Sequence, residues 1–280
     1  MEQLSQYQVR GLSGNVTSAT FNGRRVDYWA PTGGSDRVIL AHDGQNIFDK
    51  RTATRGQTWE LAQHSVDIAL EYGVTPPVVI GVFHSASAQD PFGRAKDLAP
   101  QYPFQNGVTP ILGRSGFWQR EQPSFPLDEI RSDTYLAHIV EEIIPTVAHA
   151  TGSTFEASKS AMLGSSMGGL ATLYAMKSYS SLFHTALAFS PHWIIGENPL
   201  VEALIKPLNP AALPKLWMSR GTKGHDRNYG PFQELADEIA QANGYREGSN
   251  FQTHIYKRTG HNERSWRGYL PQALRFWLKP

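Results

Sequence analysis

Short apolar runs alternate along this chain with longer segments in which apolar residues recur at helical spacing. The strand-like segments are residues 16–21, 24–30, 37–42, 78–83, 160–164, 185–190, 215–219 and 251–257. The helical segments are residues 58–72, 133–150, 167–179, 231–242 and 263–278. Uninterrupted apolar strands such as VVIGVF are typical of central strands covered on both faces. The alternation of strands and helices predicts an α/β fold, with a mostly parallel central sheet and helices on both faces.

Two local signals refine this prediction. Asn22 and Gly23 separate the first two strand-like segments, in which apolar and polar residues alternate, and an Asn-Gly pair is typical of a type I′ turn. We therefore expect an N-terminal antiparallel hairpin at the edge of the sheet. Pro145 lies inside the second helical segment and lacks the N–H of the helical hydrogen bond, which predicts a kink or a new turn there.

One long segment breaks the strand–helix rhythm. Residues 85–132 exceed the usual length of a connection in such folds. Its aromatic residues are Phe92, Tyr102, Phe104, Phe117, Trp118 and Phe125. The segment either packs on its own aromatic rings at the surface or forms a lid or substrate wall, and we favour the second interpretation. Residues 1–280 are otherwise interpreted as one domain.

Composition excludes several classes of function. The formal net charge is +1 and no cysteine is present, so disulfides, thiolate metal sites and a cysteine nucleophile are excluded. Without basic clusters, long apolar runs, H-E-x-x-H or glycine-rich phosphate motifs, we expect no nucleic acid, membrane, metal or cofactor. The N-terminal residues lack a signal-peptide pattern, which predicts a cytoplasmic protein.

The stretch LGSSMGGLATLYA contains a G-x-S-x-G pattern centred on Ser166. A short buried strand precedes it and a helix is predicted to begin at Met167, so Ser166 falls on a tight strand-to-helix turn. Gly164 and Gly168 allow neighbouring backbone to come close at such a turn. The pattern predicts an exposed nucleophilic hydroxyl, whereas Ser165 is expected to pack inside.

A serine nucleophile needs a base and an acid, which follow it in the order Ser, acid, His in this architecture. His261 lies in a glycine-flanked loop between the last strand and the last helix, where the base is expected. Asp226 is the carboxylate of the polar turn after strand 215–219, and it is our candidate acid. It could instead cap the helix near residue 231 or pair with Arg227.

The oxyanion of the reaction needs two backbone donors. The Met167 amide lies at a helix N-terminus, and the Gln45 amide follows strand 37–42 in the loop HDGQN. In this loop Gly44 lets the backbone approach the serine turn, and Asp43 is expected to fix the loop by hydrogen bonds. The alternative is that HDGQN is a simple tight turn held by an Asx bond.

The motifs HDGQNIFD, GSSMGGLATLYA, SPHW, GTKGHD and GHNERSWRGYL together resemble the Putative esterase (esterase D-like) family of α/β-hydrolases. The family includes enterochelin-type, feruloyl and acetyl-xylan esterases. The resemblance implies an α/β-hydrolase fold, Ser166 as nucleophile, His261 as base, and the amides of Gln45 and Met167 as oxyanion donors. Many members place the acid sooner after the GT pair than Asp226 stands.

Substrate contacts are predicted from the same motifs. Arg94 lies in GRAKDLAP, similar to a family segment near the active site, and His192 and Trp193 follow the strand after the serine helix. With Asp43 and Gly44 they are our substrate-binding candidates. We expect a serine carboxylic-ester hydrolase acting through an acyl-enzyme on an aryl, sugar or macrocyclic (siderophore-like) small-molecule ester. An acyltransferase using the same triad and a non-catalytic binding protein of the same fold are the alternatives, and the sequence predicts no oligomeric state.

Overall fold

A mixed sheet of nine strands organises the described part of the molecule, residues 1–110 and 125–280 of a computed structural model. Its strands are β1 Glu2–Tyr7, β2 Val16–Phe21, β3 Arg24–Trp29, β4 Val38–His42, β5 Val78–Val82, β6 Ser160–Ser165, β7 Thr185–Phe189, β8 Lys215–Arg220 and β9 Phe251–Ile255. Their spatial order is β1-β2-β3-β5-β4-β6-β7-β8-β9. Strands β4 to β9 run parallel, while β1, β2 and β3 add antiparallel pairs at the N-terminal side. The predicted α/β-hydrolase architecture is confirmed.

Helices cover both faces of this sheet. They are α1 Leu61–Glu71, α2 Gly93–Leu98, α3 Gln101–Gln105, α4 Ser132–His138, α5 Ile144–Thr151, α6 Met167–Tyr179, α7 Glu197–Ile205, α8 Gly230–Ala242 and α9 Glu263–Leu278. In β4, Ile39 and Ala41 pack into the core beneath α1 and α9, whereas Val38 and Leu40 pack into the core that α6 and α8 share. Successive residues of one strand thus enter opposite cores, as the uninterrupted apolar run predicts.

The predicted hairpin forms, but its edge position is wrong. Strands β2 and β3 pair antiparallel, and Asn22 and Gly23 have φ of 46° and 80°, as a type I′ turn requires. The unpredicted strand β1 pairs with β2 and takes the edge instead. Its sequence EQLSQY is polar and exposed, so hydrophobic patterning gives no signal for it.

The predicted helix over residues 133–150 is divided where Pro145 interrupts the hydrogen-bond ladder. Helix α4 ends at His138, a π-helical stretch spans Ile139–Ile143, and α5 begins at Ile144. Pro145 thus lies in the first turn of α5, where its missing N–H would have no acceptor within the helix. Helices α2, α3 and α7 have no counterpart in the predicted elements.

Within residues 1–110 and 125–280, no helix combines the length and the apolar character needed to cross a membrane.

Candidate active site

The turn between β6 and α6 gives Ser166 a backbone that few residues other than glycine adopt. Its φ is 57° and its ψ is −120°. The Ser166 amide donates to the Phe189 carbonyl at 2.9 Å, which ties the turn to the next strand. A Cβ on Gly164 would lie 2.2 Å from the Gly168 carbonyl oxygen, so the turn requires glycine there. Such strained conformations persist where the surrounding structure holds them, and they are common at functional sites.

Three side chains from separate loops form one hydrogen-bonded chain. The Ser166 hydroxyl lies 2.8 Å from His261 Nε2, and His261 Nδ1 lies 2.6 Å from Asp226 Oδ1. Since the carboxylate only accepts, Nδ1 carries the proton and Nε2 is free to accept from the hydroxyl. The structure thus brings the three predicted catalytic residues together in the order that a base-activated serine needs.

Asp226 is completely buried, and other groups besides His261 donate hydrogen bonds to it. Its Oδ2 accepts from the Gly221 amide at 2.7 Å and from the Ser190 hydroxyl at 2.9 Å. Ser190 in turn accepts from the indole N–H of Trp266 at 3.0 Å. These hydrogen bonds fix the carboxylate next to His261. Asp226 does not cap α8, which begins at Gly230 without a side-chain cap.

Uncharged rings surround the His261 imidazole. The ring centroids of Trp266, His225, Tyr229 and His192 lie 4.9 Å, 5.6 Å, 5.6 Å and 5.9 Å from its own. Burial lowers the pKa of His192 well below its ordinary value and raises that of Tyr229 well above its own. His192 Nδ1 and the Tyr229 hydroxyl are hydrogen-bonded to each other. Because these neighbours are neutral, Asp226 is the charged group that contacts the imidazole.

The loop after β4 packs directly against the serine turn. Asp43 has φ of 56°, and residues Gly44–Asn46 form one 3₁₀ turn. A Cβ on Gly44 would lie 2.4 Å from the Gly81 carbonyl carbon, and one on Gly168 would lie 3.3 Å from Asp43 Oδ2. These two glycines therefore allow the loop to lie between β5 and the start of α6.

The two predicted oxyanion donors lie at the starts of helical turns. Gln45 is the second residue of the 3₁₀ turn, and Met167 is the first residue of α6. Backbone N–H groups at these positions have no acceptor within their own helix. A helix N-terminus also carries partial positive charge, which favours a nearby anion. The role of both amides stays a prediction.

An ion pair fixes the loop from outside. Arg94 Nε and Nη2 each lie 2.7 Å from one carboxylate oxygen of Asp43. Burial opposes ionisation of Asp43, but the charge and hydrogen bonds of Arg94 hold its pKa at about 2. Asp43 also accepts from the Gln45 side chain at 3.3 Å. The partner that fixes Asp43 is thus mainly Arg94 of α2, rather than the loop itself.

The sequence matches a family model described as Putative esterase over residues 118–277, more than half of the chain. The chain belongs to the Putative esterase family. No curated protein matches it.

Solved structures with the same fold include several esterases. The BES protein from Bacillus cereus is 16% identical with a TM-score of 0.59, covering 99% of this chain and 94% of its own. The enterobactin esterase FES from Shigella flexneri is 15% identical with a TM-score of 0.62, and 100% of this chain aligns with 60% of it. An S-formylglutathione hydrolase from Agrobacterium tumefaciens is 15% identical with a TM-score of 0.55, covering 100% and 99%. This chain therefore spans about 60% of the length of the enterobactin esterase.

The substrate-binding candidates of this esterase-family chain differ in their position. Arg94 keeps 32% of its side chain exposed beside the loop of Asp43, and His192 borders His261. Trp193 has no exposed surface and donates its indole N–H to Gln233 at 3.2 Å. The position of Trp193 therefore does not support a direct substrate contact.

The segment 85–132 joins the main core in its described part. Phe104 and Phe125 are buried, and the Phe92 and Phe125 rings lie 5.7 Å apart. Phe117 and Trp118 lie outside the described residues. The role of the segment as a lid or wall stays a prediction, although it supplies Arg94 to the loop of Asp43.

Sequence reasoning missed the residues that hold the site in place. They are Tyr135, Ser190, Tyr229 and Trp266. Ser190 opens the motif SPHW, and Trp266 lies in GHNERSWRGYL, so both lie in motifs that carry the family resemblance. Their partners are distant in sequence, and only the fold brings the pairs together. Among the residues described, no group of three or more His, Cys, Asp or Glu side chains could hold a metal ion.

Proposed function

We propose that this member of the esterase family is a serine carboxylic-ester hydrolase that works through an acyl-enzyme. The observation that carries the proposal is the hydrogen-bonded chain from Ser166 through His261 to Asp226. The positive φ of Ser166 adds to it, because a strained turn at the carboxyl end of a strand holds the hydroxyl clear of the sheet.

The same groups act in both halves of the proposed reaction, the acylation of Ser166 and the hydrolysis of the acyl-enzyme. Ser166 Oγ attacks the ester carbonyl while His261 Nε2 takes the hydroxyl proton, and Asp226 stabilises the resulting imidazolium. His261 then gives the proton to the leaving alcohol, so the C–O bond breaks and the acyl group stays on Ser166. Water repeats the attack with His261 as base and releases the acid.

Electrostatic stabilisation of the oxyanion is assigned to the amides of Gln45 and Met167. One such donor typically lowers the barrier by about 3 kcal/mol. The ion pair of Asp43 with Arg94 supports this assignment, since it fixes the residues on which the Gln45 amide depends. Fixed donors stabilise the developing charge without reorganising during the reaction.

The substrate is proposed only as a chemical class of ester. Family membership supports an ester substrate, and the likeness to an enterobactin esterase supports the aryl, sugar or macrocyclic class that the sequence predicts. A single domain over residues 1–280 and a cytoplasmic location also stay proposals.

A panel of esters tests the proposed function. Feruloyl, acetylated-sugar, lactone and short aryl esters are incubated with the wild type and with Ser166→Ala, and the released acid is identified by mass spectrometry. We expect hydrolysis by the wild type and none by Ser166→Ala. Ser165→Ala is the matched control, because this neighbouring serine is buried in β6 and outside the hydrogen-bonded chain. Equal hydrolysis by Ser166→Ala, or products formed only when an alcohol acceptor is added, would contradict the proposal.

A further inference from the structure

A cavity of about 620 Å³ opens at the same edge of the sheet as Ser166, but Ser166 is not among its lining residues. Its wall includes the residues that follow β5, the start of β3 and one side of α4. The lining includes Arg24, Arg25, His84, Asp97, Arg131 and Thr134.

The position of this cavity relative to the serine follows from the strand order. Ser166 follows β6, and β4 separates β6 from β5. With a strand spacing of about 4.8 Å, the residues after β5 lie roughly 10 Å from the serine turn, and the start of β3 roughly 14 Å. A ligand that reaches both places is therefore elongated.

One buried carboxylate serves two arginines in the wall. Asp97 has no exposed surface and accepts from Arg24 Nη1 at 2.9 Å, Arg131 Nε at 3.0 Å and the Ser85 amide at 2.8 Å. The second acid that Arg131 reaches, Asp90, lies outside the lining. Arg24 Nη1 also donates to the Phe83 carbonyl, and Arg131 Nη2 also donates to the Ser85 hydroxyl, each at 2.8 Å. Since a guanidinium has five N–H donors, those on Nε and Nη2 of Arg24 and on Nη1 of Arg131 are left for a ligand, as far as the described residues show.

Two further side chains of the wall, those of Arg25 and His84, present donors as well. Arg25 pairs with Asp27, which does not line the cavity, and its guanidinium lies 4.5 Å from the Phe83 ring centroid. His84 Nδ1 accepts from the Ala86 amide at 3.1 Å, so the neutral ring carries its proton on Nε2. The wall thus presents N–H groups of three arginines and one histidine, while Asp97 already accepts three hydrogen bonds.

A shared wall connects this cavity with the loop beside the serine. Tyr135 lines the cavity, and its hydroxyl lies 2.8 Å from His42 Nδ1, the residue before Asp43. Arg24 lies 4.8 Å from the centroid of the Tyr135 ring. A single side chain therefore separates the donor-lined cavity from the loop that supplies the proposed oxyanion donor.

We propose that this cavity binds an anionic group of the ester substrate. The group is a carboxylate or a phosphate, and it lies roughly 10 Å or more from the scissile carbonyl. Arginine forks suit such groups because they can donate two parallel hydrogen bonds. The assignment of the anion to the substrate rests on the proposed function, whereas the anion site itself does not.

A charge introduced at Thr134 tests the site without removing any ion pair of the wall. Thr134 is exposed and lines the cavity. Binding of inorganic phosphate and of glutarate is measured by calorimetry on the wild type, Thr134→Glu and Thr134→Gln. We expect the anions to bind to the wild type and to Thr134→Gln, but not to Thr134→Glu. The two introduced side chains are nearly equal in size, and only the carboxylate of Thr134→Glu repels the anion. No binding to the wild type, or equal binding to all three proteins, would overturn the anion site.

Ester pairs decide where the anion comes from. Aryl esters of short and long acids are compared, each ending in a carboxylate or in a neutral carboxamide. For the long pair we expect kcat/KM to favour the carboxylate by about tenfold, with the preference lost in Thr134→Glu and kept in Thr134→Gln. The short pair should show no preference.

The outcomes separate this inference from the proposed function. If free phosphate binds but no carboxylate ester gains in kcat/KM, the anion is not part of the substrate and that assignment is overturned. If no ester is hydrolysed at all while phosphate still binds to the wild type and not to Thr134→Glu, the proposed function fails and the anion site stands.

Discussion

Replacing Asp226 by asparagine changes one atom and reverses a hydrogen bond. Asp226 accepts from the Gly221 amide, the Ser190 hydroxyl and His261. In Asp226→Asn the amide oxygen must serve Gly221 and Ser190, because both are donors. The NH₂ group then faces His261 Nδ1 and forces it to accept, so the imidazole proton moves to Nε2. In that tautomer His261 cannot take the proton of Ser166.

The magnitude follows from the loss of the base and of the charge beside it. A triad with the wrong tautomer loses about ten-thousandfold in kcat, which corresponds to about 5 kcal/mol of barrier. The fold should survive, since two of the three hydrogen bonds are kept. Asp226→Ala is different, because it leaves the buried donors of Gly221 and Ser190 without an acceptor, at a cost of about 1–3 kcal/mol each.

The assay is steady-state hydrolysis of an activated ester, with a thermal melt of each variant. Asp237→Asn is the matched control, since Asp237 is a largely buried carboxylate that accepts from Gln233 at 2.8 Å and Thr253 at 2.9 Å, away from His261. We expect Asp237→Asn to keep kcat. Folded Asp226→Asn with kcat within tenfold of the wild type would refute the reasoning about the tautomer.

Three further predictions concern the loop and the pH dependence of stability. In Gly168→Ala the new Cβ would lie 3.2 Å from His42 Cβ, so we expect kcat to fall by about tenfold with a folded protein, measured as above; an unchanged kcat would contradict the close approach. Asp43→Asn loses the charge that Arg94 pairs with, and kcat should fall more than KM rises; a pure KM effect would instead indicate substrate binding. Burial raises the pKa of Asp237 from 3.8 to about 6, so the folded protein holds a proton that the unfolded chain releases, and stability should fall as pH rises from 4 to 6. Urea unfolding should show a smaller fall in Asp237→Asn, and parallel pH curves would contradict the shift.

Local patterns in the sequence predicted which three side chains meet at the site, but not the residues that hold them in place. The turn at Ser166 needs glycines two residues to either side, and that spacing is visible without a structure. His261 and Asp226 follow from chain order, because each lies in a loop that follows a parallel strand, at the edge of the sheet where Ser166 lies. The contacts of Ser190 and Trp266 could not be predicted, since they join elements far apart in the chain.

The missed elements have a similar physical reason. Strand β1 is polar and gains its place from pairing with β2 and from the hydrogen bond that the Tyr7 hydroxyl donates to Asp27 of β3 at 2.7 Å. Pairing between strands leaves no periodic signal in the strand itself when both of its faces are polar. The contact of Arg94 with Asp43 was not predicted either, because the two residues are distant in sequence. A substrate contact of Arg94 stays a prediction.

The central claim is that Ser166 is the nucleophile, and covalent labelling tests it most directly. The wild type, Ser166→Ala and Ser165→Ala are treated with a fluorophosphonate probe, and the modified peptide is identified by mass spectrometry. The account predicts one adduct on Ser166 in the wild type and in Ser165→Ala, and none in Ser166→Ala. An adduct that persists in Ser166→Ala, or a wild type that takes up no label, would contradict it.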